Sequence, residues 1–118
     1  MTKEDKELLL KDLCGRLPYD VFVNINDIKC ILQPHDISDL IKCDTDIKPY
    51  LFPLSSMTEE QKEEFNSYFA SVPYYGDNIH IPYYSVELLI DFYNKHYLDW
   101  RGLIPKGLAI DATGLNIY

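Results

Sequence analysis

Apolar side chains spaced three and four positions apart predict a helix at the start of this chain. The predicted helix spans residues 2–15, with Thr2 as its N-terminal cap. Leu9 and Leu13 fall on one stripe of it, which indicates a side that packs on a core. Gly15 is a typical helix stop, so we expect the helix to end there.

Alternation of apolar with other residues predicts a β-hairpin over residues 21–32. Asn26 and Asp27 separate the two alternating runs and are typical turn residues. Phe22 and Ile31 place apolar side chains on the second face of this hairpin as well. We therefore expect a sheet that is covered at least partly on both sides.

Prolines shape the interpretation of the middle of the chain. A third strand is predicted at residues 39–43, and the apolar segment 47–54 that follows contains Pro49 and Pro53. Because proline has no N–H to donate to a neighbouring strand, this segment is interpreted as an extended apolar strap over the core and not as a central strand.

A capping box gives the clearest local signal. Thr58 is followed three positions later by Gln61, which predicts a helix that starts after Thr58 and ends at Pro73. A third helix is predicted over residues 86–97, with Ser85 as its cap. The two helices are separated by a loop rich in tyrosine and proline, in which a short strand is predicted at residues 79–81.

These elements predict one α+β domain over residues 1–118. It consists of the N-terminal helix, a small antiparallel sheet of about three strands, and two further helices packed on that sheet. At 118 residues the chain has the commonest domain size and can bury about two-thirds of its unfolded surface. Residues 99–118 are predicted to be irregular but packed, because their leucines and isoleucines need cover.

Charge narrows the choice of partner. The chain has 19 acidic and 11 basic residues, for a net charge of -8. A surface that tracks phosphates needs clustered Lys and Arg, so we expect no direct binding of nucleic acid. The acidic surface favours solubility, and an alternative is that it acts as a decoy of nucleic acid for a basic partner.

The cysteines favour a reducing compartment. Cys14, Cys30 and Cys43 are odd in number, widely spaced and without a CxxC pair, which is typical of reduced thiols in the cytoplasm. The sequence contains no apolar run near 18 residues, so we expect no membrane association.

No motif for catalysis, a metal or a cofactor is predicted. His35, His80 and His96 fall on three separate predicted elements, and their spacing matches no metal-binding pattern. The glycines form neither a dinucleotide-binding nor a phosphate-binding loop. A cysteine nucleophile would need a histidine brought close by the fold, which leaves a small hydrolase or transferase with a Cys/His centre as an alternative function.

Tyrosine is unusually frequent, with ten in the chain. Tyr offers a large, stiff contact area with a polar tip, and Trp and Arg are frequent anchors of protein interfaces. Six residues are therefore the candidate partner-binding positions: Tyr74, Tyr75, Tyr83, Tyr84, Trp100 and Arg101.

Two long blocks resemble known proteins. The block KPYLFPLSSMTEEQ at residues 48–61 and the block DWRGLIPKGLAI at residues 99–110 are similar to segments of short uncharacterised proteins of gut bacteria and their phages, and residues 9–19 fit that group more loosely. The resemblance implies a phage or mobile-element setting. The group has no established activity, so it implies no functional residue for this chain.

The sequence thus favours a non-enzymatic accessory protein that acts by binding another protein, from the host or from a phage. It leaves the partner, the oligomeric state and the path of the last twenty residues open.

Overall fold

The computed structural model describes residues 1–70, 74–75, 78–79 and 83–118, and between residues 68 and 85 it describes at most the backbone. Its helices are α1 (Lys3–Arg16), α2 (Pro34–Cys43), α3 (Glu59–Ala70) and α4 (Tyr83–Lys95). Its strands are β1 (Phe22–Ile25), β2 (Ile28–Ile31), β3 (Ile47–Leu51), β4 (Tyr74–Tyr75), β5 (Asn78–Ile79) and β6 (Ile110–Asp111). The predicted α+β class is confirmed.

The main sheet differs from the prediction in size and type. It has four strands instead of about three, in the order β2-β1-β3-β6. The first three pair antiparallel, but β3 and β6 pair parallel, so the sheet is mixed. Strands β4 and β5 form a separate two-stranded ladder.

Helix α1 confirms the predicted N-terminal helix, and its cap is as expected. The Thr2 hydroxyl accepts a hydrogen bond from the Asp5 amide at 3.0 Å. The helix runs on through Gly15, which was predicted to end it. Gly15 instead allows α4 to approach, because its carbonyl accepts a bond from the Asn94 side chain at 3.3 Å and a Cβ would lie 3.4 Å from that amide nitrogen.

The predicted hairpin is confirmed as β1 and β2. Asn26 and Asp27 have φ angles of 50° and 69°, and two successive positive φ angles are the mark of a type I′ turn. That turn matches the right-handed twist of the flanking strands, so it fixes the register in which Ile25 faces Ile28 and Phe22 faces Ile31.

The strand predicted at residues 39–43 is wrong, since these residues belong to α2. The Gln33 amide donates to the Asp36 carboxylate at 2.8 Å, and Pro34 occupies the first turn, where its missing N–H costs nothing. Ile37 and Leu40 then pack on the core at helical spacing. The short apolar run fits both periods, and the capping residues decide for the helix.

The interpretation of residues 47–54 as a strap is also wrong for its first half, because β3 lies between β1 and β6. Pro49 faces Val23 of β1, and the hydrogen-bonded residues alternate so that the proline nitrogen points away from β1. On the other side, the ladder to β6 begins only at Tyr50. Neither neighbour therefore needs an N–H from Pro49, which is why a proline fits in a central strand.

The two later helices confirm the predicted helices, with one change at a terminus. The Thr58 amide donates to Gln61 at 3.0 Å and the Gln61 amide donates to Thr58 at 3.1 Å, so the predicted capping box is present in both directions. Helix α4 begins at Tyr83, so Ser85 lies inside it and is not its cap. Of the strand predicted at residues 79–81, Ile79 belongs to β5 and the rest lies outside the described residues, as does Pro73.

Much of the predicted C-terminal segment packs on the core as expected, although Leu115 near its end is 51% exposed. Leu103 and Leu108 are buried in the same cluster as the leucines of α1, and β6 follows them. Asp99 organises the turn that leads there, because its carboxylate accepts from the amides of Leu103 at 2.8 Å and Ile104 at 2.9 Å. Within the described ranges no helix has the length and apolar character needed to cross a membrane.

Candidate binding surface

Strand β2 is a free edge of the main sheet. Its only partner in the described part of the chain is β1, and its two isoleucines are exposed, Ile28 at 67% and Ile31 at 37%. Exposed isoleucines on an edge strand form a template on which another chain can pair. This edge is the first feature that offers contact area to a partner.

The backbone groups of β2 that point outward follow from its register. The Leu32 amide donates to the Val21 carbonyl at 2.9 Å, and bonded pairs alternate along an antiparallel ladder. Cys30 and Ile28 are therefore bonded to β1, whereas Lys29 and Ile31 direct their N–H and C=O groups away from the sheet. These groups are available to an added strand.

The two faces of the sheet differ in their cover. Helices α1 and α2 pack on the face that carries Val23, Ile47 and Leu51. We call the other face the open face; its residues on the antiparallel strands are Phe22, Asn24, Lys29, Ile31, Lys48 and Tyr50. The expected cover on both sides is present only in part, because an aromatic ring and not a helix covers the open face.

A basic row crosses the open face. Lys29, Asn24 and Lys48 face one another on three adjacent strands, so the two lysines lie about 10 Å apart. The Lys29 ammonium lies 5.5 Å from the centroid of the Phe22 ring, which shows that it leans across this face. On these three strands the open face carries two lysines and no carboxylate, in a chain whose net charge is -8.

Tyr118 covers the part of the open face next to this row. Its hydroxyl accepts from the Phe22 amide at 2.9 Å and donates to the Tyr50 carbonyl at 2.8 Å. These two backbone groups would bond to each other if the β1–β3 register continued by one more pair. The hydroxyl therefore bridges the strands where they separate, and desolvation raises the pKa of Tyr118. Its ring stacks on Tyr97 with centroids 3.7 Å apart.

Trp100 and Arg101, both predicted partner-binding residues, are held by contacts within the chain. Trp100 is half-buried, stacks on Tyr93 with centroids 5.9 Å apart and donates to the Asn94 side chain at 3.3 Å. The Arg101 guanidinium lies 4.0 Å from the centroid of the Trp100 ring and bonds to Asp12 at 3.0 Å. A partner would meet this pair as a preformed, half-buried plate.

Below that plate lies a buried ion pair. Asp12 and Arg16 are fully buried, and Arg16 Nε bonds to Asp12 Oδ2 at 2.8 Å. Arg16 Nη2 also donates to the Leu98 carbonyl at 2.6 Å, whereas its Nη1 has no partner among the described residues. Asp12 thus joins two guanidinium groups, Arg16 inside and Arg101 at the rim, and this network ties α1 to the segment after α4.

The four tyrosines that were predicted in one loop lie on two elements, Tyr74 and Tyr75 on β4 and Tyr83 and Tyr84 in the first turn of α4. The side chains of Tyr74, Tyr75, Tyr83 and Tyr84 lie outside the described residues. The backbone of β4 pairs with β5, so Tyr74 faces Ile79 in the ladder. The role predicted for these four tyrosines stays a prediction.

Cysteine and histidine side chains form no nucleophilic centre in the described part of the chain. Cys14 and Cys43 are exposed. Burial, with a contribution from Asp36, raises the pKa of the Cys30 thiol, which is the opposite of what a thiolate nucleophile needs. His35 lies 3.2 Å from Asp36 at an exposed helix start, and His96 lies 3.0 Å from Glu64. The described residues also contain no group of three such side chains that could hold a metal ion.

A cleft of about 440 Å³ opens beside α1 on the covered side of the sheet. It is lined by the apolar residues Leu9, Ile47 and Leu108 and by charged residues of both signs, among them Asp5, Asp44 and Lys106. The volume suits a small molecule. Because both acidic and basic residues line the cleft, its charge favours neither an anionic nor a cationic ligand.

Comparison with models of protein families, with curated proteins and with solved structures finds no match for this chain. The sequence prediction missed the free edge and the basic row. The turn at Asn26 and Asp27 could have placed Lys29 beside Asn24, because a two-residue turn fixes the hairpin register. The free edge and the position of Lys48 depend on the order of the strands in the whole sheet.

Proposed function

We propose that this chain is a non-enzymatic accessory protein that acts by binding another protein, in a phage or mobile-element setting. The observation that carries the proposal is the free β2 edge, with exposed Ile28 and Ile31 and outward backbone groups at Lys29 and Ile31. Soluble proteins usually shield or shorten such edges, so one with exposed aliphatic side chains favours a role in contact.

Two supports come from other parts of the molecule. The Trp100–Arg101 plate is rigid and half-exposed, and rigid aromatic–arginine surfaces suit protein interfaces. The setting on a phage or mobile element rests on the resemblance of residues 48–61 and 99–110 to short proteins of gut bacteria and their phages.

The test is capture of a partner from bacterial lysate with the tagged chain, read by mass spectrometry. A double variant, Ile28→Ser with Ile31→Ser, is compared with Ile41→Ser, which changes an isoleucine that is 55% exposed on α2. We expect a reproducible partner that the double variant loses and Ile41→Ser keeps. Loss of that partner in both, or in neither, would contradict the role of the edge.

The predicted tyrosine surface is tested in the same assay. A quadruple variant that replaces Tyr74, Tyr75, Tyr83 and Tyr84 with Ala should retain the partner if β2 is the main contact. Loss of the partner in the quadruple variant alone would move the binding surface to the loop.

Two other functions stay as alternatives, and the captured partner separates them. A decoy of nucleic acid would capture a basic, nucleic-acid-binding protein, and duplex DNA would displace it in a salt-sensitive way. A small hydrolase or transferase would lose its activity on replacement of Cys14, Cys30 or Cys43, whereas a contact protein would keep its partner.

A further inference from the structure

We propose that β2 takes up an extended segment of the partner as a further antiparallel strand, and that this segment carries an acidic residue opposite Lys29. The inference rests on the proposed function and names the chemistry of its partner. It follows from the outward backbone groups of β2, from the side chains beside them and from the charge of the open face.

The backbone supplies the first step. Lys29 and Ile31 each direct one N–H and one C=O away from β1, at the spacing that an antiparallel neighbour needs. In strand addition these groups provide the affinity, and pockets for alternate side chains provide the specificity. No described residue hydrogen-bonds to them, and the exposure of Ile28 and Ile31 keeps access open.

The side chains supply the second step. Directly opposed residues on neighbouring strands project their side chains to the same side of the sheet. The partner residues opposite Lys29 and Ile31 therefore point to the open face. The lysine row makes an acidic side chain favourable opposite Lys29, and the exposed Ile31 favours an aliphatic one opposite itself. Read from its N-terminus, the segment has the pattern aliphatic, any residue, acidic.

The open face also argues against a second copy of this chain as the occupant. If two β2 strands paired antiparallel about Cys30, each Lys29 would lie opposite an Ile31 and gain no charge partner. The copies would also bring together two chains that each carry a net charge of -8. A single-stranded nucleic acid is favoured less, because a backbone-tracking groove needs more than two lysines.

The acidic charge of the whole chain does not cancel the local attraction. Asp27 lies in the hairpin turn, and Asp46 lies beside Asn26 on the other side of β1 from β2. At physiological salt, charges farther away than about 8 Å are largely screened, which leaves Lys29 and Asp27 as the nearest charges to an added strand. Lys29 lies in the ladder directly opposite the added residue, whereas Asp27 lies beyond the strand in the turn, so Lys29 decides the preference at that position.

The experiment measures fluorescence anisotropy with two labelled peptides, Ser-Val-Thr-Glu-Val-Ser and the same peptide with Lys in place of Glu. We expect the Glu peptide to bind better to the unmodified chain. The variant Lys29→Glu should weaken that peptide roughly two- to thirty-fold and improve binding of the Lys peptide, because a facing charge pair changes sign. The control Lys11→Glu makes the same charge change on α1 and should alter neither affinity.

A second variant tests the backbone step. Ile31→Pro removes an outward N–H and no bond to β1, so the hairpin keeps its ladder. It should abolish binding of both peptides, whereas Ile31→Thr, which keeps the N–H, should retain most of it.

Equal affinity for both peptides would overturn the role of Lys29, and binding that survives Ile31→Pro would overturn strand addition. A dimer in sedimentation that Ile31→Pro dissociates would show that a second copy of this chain occupies the edge. Tighter binding of an oligothymidylate than of the Glu peptide would show that the occupant is a nucleic acid. A lysate partner held equally by the unmodified chain, Lys29→Glu and Ile31→Pro would overturn strand addition and leave the protein-binding function in place. Absence of any reproducible partner would contradict the proposed function itself.

Discussion

Replacing Asp12 with Ala should be among the most destabilising single changes in this protein. Asp12 is fully buried and accepts from Arg16 at 2.8 Å and from Arg101 at 3.0 Å. Removing it leaves the Arg16 guanidinium in the interior with only the Leu98 carbonyl as a partner. The perturbation therefore removes the counterion of a buried charge.

The magnitude follows from the burial of each partner. Breaking a fully buried ion pair by removing one member costs about 3–5 kcal/mol. The Arg101 side chain is 19% exposed and can turn to water, so its loss adds only about 0–1 kcal/mol. Because alanine favours a helix more than aspartate does, the substitution also stabilises α1 by up to about 0.5 kcal/mol. For a chain of this length, whose total stability is about 6–18 kcal/mol, the remaining loss of about 3–5 kcal/mol is large.

Replacing Arg16 should lower the free energy of unfolding by less than replacing Asp12 does. In Arg16→Met the apolar side chain fills much of the same volume, and Asp12 keeps Arg101 as its partner. We expect about half the loss seen for Asp12→Ala. The double variant should be no less stable than Asp12→Ala alone, because the buried charge that causes the loss is gone.

The assay is equilibrium unfolding in urea, followed by circular dichroism and by the fluorescence of Trp100, the single tryptophan. Glu7→Ala changes an exposed acid on the same helix and should shift stability by less than about 0.5 kcal/mol. A loss below about 1 kcal/mol for Asp12→Ala, or fully additive losses in the double variant, would refute the reasoning from the buried pair.

Three further outcomes can be measured in the same way. Tyr118→Phe should lower the free energy of unfolding by about 1–3 kcal/mol, because the hydroxyl bridges two backbone groups between strands. Tyr19→Phe removes only an exposed hydrogen bond and should lower it by less than about 0.5 kcal/mol. Equal losses would contradict the bridging role. Asp99→Ala should lower the free energy of unfolding by about 2–3 kcal/mol, because two amides lose a buried acceptor. Asp111→Ala removes an exposed acceptor and should lower it by less than about 1 kcal/mol. The reverse order of the two losses would contradict the role of Asp99 in the turn. Folding raises the pKa of Tyr118 above its unfolded value, so its contribution is fully present below about pH 10 and is lost as the pH rises further. Unfolding in urea at pH 8 to 11 should show a decline, and Tyr118→Phe should make it less steep, with the remainder due to Tyr19, Tyr93 and Tyr97, whose pKa values burial also raises.

Local chemistry made much of the fold predictable from the sequence. The capping box at Thr58 and Gln61 and the hairpin around Asn26 and Asp27 each depend on contacts within a few residues, and the structure contains both. The central position of β3 could not be predicted in this way. It depends on where β6 begins, sixty residues later, and only that distant register shows that Pro49 faces no partner that needs its N–H.

For the candidate surface, too, local features were predictable from the sequence and long-range ones were not. Alternation along β2 was visible in the sequence, but the freedom of its outer edge depends on which strands pair, and that is a property of the whole sheet. The bridge made by Tyr118 joins residues 68 and 96 positions away, and no local pattern indicates it. Trp100 and Arg101 were predicted as contact residues from their types, and their attachment to Asp12 required the fold.

Amide hydrogen exchange at single-residue resolution, measured with and without the captured partner, tests most directly whether the β2 edge is where this protein makes contact. The free chain should exchange the outward amides of Lys29 and Ile31 rapidly, and the bound chain should protect both. Unchanged exchange at these two amides, with new protection confined to α4 or to the segment around Trp100, would contradict the account.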